Sequence, residues 1–121
     1  MTPPKGATMR DIIINSKTGG AKGTKPARHD LIPTVALTQL AEQYGYGAAI
    51  YGDDNWRKGY DWSLAYAALQ RHAVAFWSGE NDDPESGLSH MAAVAFHAFT
   101  LIAYSNNQQY AEFDNRPKRP E

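Results

Sequence analysis

Residues 88–104, LSHMAAVAFHAFTLIAY, read as a helix that is apolar on nearly every face. Leu88, Met91, Ala92, Ala95 and Phe99 make one stripe, and Val94, Phe96, Leu101 and Ile102 carry apolar character to other faces. Such a helix is buried on several sides, yet a chain of 121 residues has few other elements to cover it. Packing against another copy supplies the missing cover. The fold class expected is all-α: a small helical bundle completed by oligomerisation, with an extended N-terminal arm.

Two earlier segments complete the bundle. Residues 31–52 read as a first helix, with Pro33 in its first turn, and Gly45 and Gly47 weakening its interior. A second helix is expected over 62–78, N-capped by Asp61 and stopped by Gly79. The third starts at Asp83-Pro84, with Asp83 as N-cap, or at Leu88. The organisation expected is a flexible Gly/Lys-rich arm over 1–30, a helical domain over 31–104 and a polar, frayed tail over 105–121. In the arm, DIIIN (11–15) reads as an isolated strand or an anchor laid on the domain.

A net charge of −1 argues against an electrostatic nucleic-acid binder, so no stable nucleic-acid binding is expected. The absence of cysteine excludes disulfides and thiolate metal sites. No apolar run reaches the roughly 18 residues of a membrane span, and no signal-like apolar region opens the chain. No membrane partner is expected, and a cytoplasmic location (host cytoplasm if phage-encoded) is.

Chemistry concentrates in three places. GENDDPESG (79–87) crowds Glu80, Asp82, Asp83 and Glu85 between two helices. Like charges so close repel, and a hard divalent cation with oxygen ligands would relieve them. The same stretch also reads as a solvated loop whose acids favour a helix N-terminus. NWRKG (55–59) combines an amide in Asn55, a flat ring in Trp56 and two cations in Arg57 and Lys58. It suits a base and phosphates, or equally a connecting loop whose Trp covers the core. The arm offers Lys17, Lys22, Lys25 and Arg28 among glycines, for phosphate or simply for solvent. His72, His90 and His97 lie among apolar neighbours, as hydrogen-bonded core residues or as ligands. Walker A, EF-hand and HExxH patterns are absent. Carboxylates for a cation, cations for phosphates and a ring for a base suit nucleotide chemistry.

Those stretches carry a resemblance. YGDDNWRKGYDWS (51–63), RH (71–72), GENDDPESGLSHMA (79–92) and KGTKPARHDLIP (22–33) resemble the phage dATP/dGTP diphosphohydrolase N-terminal family, over about residues 20–104. That family is grouped with the all-α, MazG-type nucleotide pyrophosphohydrolases. The resemblance implies an oligomer, dimer or tetramer, that binds Mg²⁺ or Mn²⁺. It implies cleavage of a purine deoxynucleoside triphosphate, dGTP or dATP, to monophosphate and pyrophosphate. Some phage members feed dGMP into 2-aminoadenine DNA synthesis.

By the same resemblance Glu80, Asp83 and Glu85 hold metal, and His90 and His72 orient ligands or relay protons. Lys22, Lys25, Arg28 and Arg57 meet phosphate, Asn55 and Lys58 complete the substrate loop, and Trp56 stacks on the base. Two departures stand out: Glu42 is alone where an E-x-x-E pair is usual, and Ala93 stands where a second histidine is common. The competing expectation is a non-catalytic nucleotide- or protein-binding helical oligomer.

Overall fold

The structure, a computed structural model, describes residues 12–118. Residues 1–11 of the expected arm and 119–121 of the expected tail lie outside the described residues. The chain forms two compact units, one ending at Pro33 and one beginning at Thr34.

In the first unit, strands β1 (Ile12–Asn15) and β2 (Ala21–Thr24) pair antiparallel, with Ile13 opposite Gly23 and Ile14 opposite Lys22. Three consecutive isoleucines favour extended backbone. The partner strand, AKGT, comes from the Gly/Lys-rich stretch that the sequence left featureless. Main-chain hydrogen bonds do not need its side chains, which is why composition missed it. Gly19, at φ +90°, turns the chain, and the Ser16 hydroxyl accepts from the Gly20 amide at 3.0 Å. Ile12–Asn15 is therefore a paired strand rather than an isolated one. A short 3-10 helix, His29–Leu31, follows.

The second unit holds α1 (Thr34–Tyr51), α2 (Trp62–Trp77) and α3 (His90–Ser105), with 3-10 helices at Asn55–Lys58 and Gln108–Phe113. The described residues are thus mostly helical, with one two-stranded sheet. Helix α3 packs against α1, α2 and the last 3-10 helix. It buries His90, Ala92, Ala93, Thr100 and Tyr104, while Met91, Phe99 and Ile102 stay exposed.

Two expected caps differ. Asp61 holds the N-cap position of α2 but makes no side-chain cap; its carbonyl accepts from the Leu64 amide instead. Asp83 does not cap α3. Ser89 does, accepting from the Ala92 amide at 3.2 Å, so α3 starts six residues beyond Pro84. Asp83 instead accepts from the Glu85 amide at 2.9 Å, closing a turn inside the acidic loop.

The described part of the tail docks on the helices rather than fraying. Tyr110 is buried with Trp62 and Tyr104, and Trp56, Tyr60, Leu101 and Phe113 pack around them. Two aromatic residues in a polar tail give it an apolar reason to dock. The Asn115 side chain accepts from the Ser63 amide at 3.0 Å and donates to the Ser63 hydroxyl at 2.8 Å. The hydroxyls of Tyr104 and Tyr110 donate to the carbonyls of Trp56 and Arg57, at 2.6 and 2.8 Å. The core thereby holds the NWRKG backbone.

Gly59 ends that loop at φ +93°, and a Cβ there would overlap the Phe113 ring. Gly59→Ala is expected to cost about 2–4 kcal/mol, from left-handed backbone strain plus overpacking. Gly52→Ala, also at positive φ but in open space, is expected to cost about 1–2 kcal/mol from the backbone alone. Urea unfolding of the two variants checks the order.

Candidate active site

Helix α2 ends in a Schellman motif. Gly79 sits at φ +106°, its amide bonds the Phe76 carbonyl, and the Glu80 amide bonds the Ala75 carbonyl. The chain then folds back on itself. Asp82 and Ser89 form an antiparallel bridge, the His90 amide bonds the Asn81 carbonyl, and the Asp83 amide bonds the Leu88 carbonyl. This hairpin brings the end of α2 beside the start of α3.

Three side chains meet there. His90 Nε2 lies 2.6 Å from Glu80 Oε1, and His90 Nδ1 lies 2.9 Å from His72 Nδ1. A carboxylate accepts, so His90 donates through Nε2–H; with His90 neutral, its Nδ1 accepts from His72 Nδ1–H. Asp83 Oδ2 stands 3.9 Å from His72 Nδ1, close enough for attraction but too far for a hydrogen bond. Burial lowers the His72 pKa, partly countered by the nearby Asp83 charge and reinforced by His90 and Arg71. His97 stacks on His72 with ring centroids 6.0 Å apart, and its Nδ1 is buried with no hydrogen-bond partner among the described residues.

One atom each from His72, Asp83 and His90 lies within 4.8 Å of the other two. Donors around a first-row ion sit roughly 2.0–2.2 Å from it, so they stand about 3–4 Å apart. The pairs at 2.9 and 3.9 Å fit that spacing. Two imidazoles and a carboxylate suit a first-row transition ion better than Mg²⁺, which wants oxygen, and of the two expected ions that favours Mn²⁺. Glu80, expected as a ligand, instead binds the far nitrogen of His90, as an outer partner of a metal-binding histidine would.

Beside this cluster lies a cavity of about 520 Å³, within the usual size range for small-molecule sites. His72, His97, Asp83 and Glu85 line it, as do Asn55 and Trp56. Of NWRKG, only the first two residues reach it. Arg57 is held by Asp54 at 2.9 Å and covers the Trp56 ring at 4.5 Å, and neither it nor Lys58 lines the cavity. Trp56 is thus a core-covering residue and a cavity wall at once. The cation at the cavity is Arg71.

Lys22, Lys25 and Arg28 belong to the first unit. Lys22 Nζ donates to the Gly23 carbonyl at 2.8 Å, Lys25 follows β2, and Arg28 grips Asp30 through two bonds of 2.7 and 2.8 Å. Sequence reasoning missed Gln43, Tyr44, Tyr60 and Phe96, all cavity residues. Gly45 and Gly47 were the available signal: glycines inside a helix mark an open or closely approached face.

A largely apolar cavity with an acid-and-imidazole cluster at its edge, in a small helical domain, suits a compact ligand. A family model described as dATP/dGTP diphosphohydrolase, N-terminal, matches residues 16–116, and the chain belongs to that family. No curated protein and no solved structure matches the chain. Among the described residues, no helix is long and apolar enough to cross a membrane.

Burial holds His97 neutral, taking its pKa from the ordinary 6.5 down to about 4, with His72 and Arg71 adding to the effect. Below pH 6.5 the unfolded chain gains a proton that the folded chain refuses. Stability present above pH 6.5 should therefore fall as pH drops toward about 4. The urea midpoint measured across that window should decline, and His97→Phe should flatten the decline.

Proposed function

We propose that the chain hydrolyses dGTP and dATP to the monophosphate and pyrophosphate in this cavity, with a divalent cation of the Mn²⁺ class. The observation that carries the reading is the cluster of Asp83, His72 and His90 at the wall of a nucleotide-sized cavity, in a chain of a dATP/dGTP diphosphohydrolase family. Supply of dGMP for 2-aminoadenine DNA is one use of such an activity.

His72, His90 and Asp83 would hold the cation, with Glu85 close by on the cavity wall. When bound, the ion would neutralise phosphate charge and acidify water. Glu80 keeps the Nε2 proton of His90 in place and so turns the Nδ1 lone pair inward. Arg71 faces the triphosphate and offsets its charge. Glu85 takes a proton from the water that attacks the α-phosphorus. As the P–O bond to the β-phosphate breaks, pyrophosphate leaves.

Pyrophosphate release from dGTP and dATP should need Mn²⁺ or Mg²⁺ and stop with a chelator. Asp83→Asn should lower kcat by about 100-fold and Glu80→Gln should weaken Mn²⁺ binding by about 10–100-fold, with helicity unchanged. Nucleotide binding without turnover of any triphosphate would leave the non-catalytic module instead.

Homo-oligomerisation is supported by side chains that a monomer leaves wet. Tyr66, Val74 and Trp77 share one side of α2, with Trp77 87% exposed, and Phe99 and Ile102 neighbour each other on α3. Contiguous apolar surface of this kind marks an interface. Light scattering should give a mass above that of one chain, and Trp77→Lys with Val74→Lys should lower it.

A further inference from the structure

We infer that Gln43 reads the base, and that its amide is what lets one site accept two purines. This rests on the hydrolase reading above.

Helices α1 and α2 each pack on α3 but not extensively on one another, and the cavity occupies the gap. Small residues open the middle of that gap, Gly47 and Ala48 from α1 and Ala65 and Ala68 from α2, between larger ones such as Tyr44 and Leu64. A Cβ on Gly47 would meet nothing within 4 Å, so the space beside it is open. A flat ring system fits such a slot.

A run of rings sets the direction of the ligand. Starting at the cluster, His72 stacks on His97 at 6.0 Å, His97 meets Phe96 at 5.2 Å, and Phe96 meets Tyr44 edge-on at 4.6 Å. With phosphates at His72 and Asp83, the base lies toward α1. There Gln43 stands one residue before Tyr44 and one helical turn before Gly47, on the slot's wall. It is half-buried and makes no hydrogen bond among the described residues. An amide left unpartnered in a cavity is available to a ligand.

The chemistry of the two purines singles out an amide. Adenine presents a donor at N6 and an acceptor at N1, and guanine an acceptor at O6 with donors at N1 and N2. A carboxamide carries one acceptor and one donor group side by side, and half a turn about its last bond exchanges them. Either purine edge is then matched by the same residue.

The test is Gln43→Glu, with steady-state kinetics on dGTP and dATP and calorimetric binding of dGMP and dAMP. A carboxylate accepts twice, which matches the N1–H and N2–H of guanine and opposes the N1 lone pair of adenine. The dGTP-to-dATP ratio of kcat/KM should rise by about tenfold or more, the binding ratio moving with it. Gln43→Leu should weaken both purines by a similar factor and leave the ratio near that of the wild type. A ratio within twofold of wild type in Gln43→Glu, or full activity in Gln43→Leu, would overturn the assignment. So would a larger ratio change in Asn55→Asp, the other amide of the cavity. If the wild type turns over neither triphosphate, the hydrolase reading falls, and the monophosphate binding ratios still decide the role of Gln43.

Discussion

The buried imidazole of His90 is the constraint around which the helical unit is arranged. It is only 4% exposed, at the first position of α3, where both ring nitrogens need partners. Glu80 supplies one and His72 the other. Satisfying both requires the end of α2 to stand beside the start of α3. The Schellman turn at Gly79 and the Asp82–Ser89 bridge deliver that geometry. The acidic loop is therefore built by backbone hydrogen bonds, and its charges are passengers on a defined hairpin. That answers the repulsion problem in part: Glu80 and Asp83 point at imidazoles rather than at each other.

Much of this was legible in the sequence, and the parts that were not share a cause. Helix periodicity and glycine stops located α1, α2 and α3 to within a few residues, because those signals are local. Asp83-Pro84 carried the local signature of a helix start, yet Ser89 caps α3. The choice between them depends on pairing across the hairpin, which no local pattern encodes. The docked tail was hidden for a similar reason. Tyr110 and Phe113 are separated by polar residues, and their value lies in reaching Trp62 and Tyr104, far away in the chain. Likewise the crowding of Glu80 and Asp83 was visible in the sequence, while their distinct imidazole partners were fixed only by the fold.

The cavity and the core are coupled through the NWRKG loop. Its backbone is clamped by two tyrosine hydroxyls, its Trp56 ring packs on the core, and Asn55 and Trp56 form a wall of the cavity. Burying aromatic rings thus also sets the shape of the site. Helix α1 contributes differently. It buries only Leu40, and Gly47 withholds a side chain where the gap opens. A helix packed to full density along that face would be more stable and would close the gap.

The two imidazoles also connect the folded chain to the proposed chemistry. His72 Nδ1 and His90 Nδ1 stand 2.9 Å apart, a hydrogen-bond distance that needs a proton between them. A cation held by the same lone pairs must displace that proton, so metal affinity and proton affinity oppose each other at one point. Desolvation already weakens proton binding at His72, and Glu80 fixes the other nitrogen of His90. The first favours a neutral His72 ring, and the second turns Nδ1 of His90 toward it. Glu80 therefore matters more as the orienter of His90 than as one more negative charge. Its amide counterpart keeps an oxygen to accept the Nε2–H and removes only the charge, which separates charge attraction from orientation.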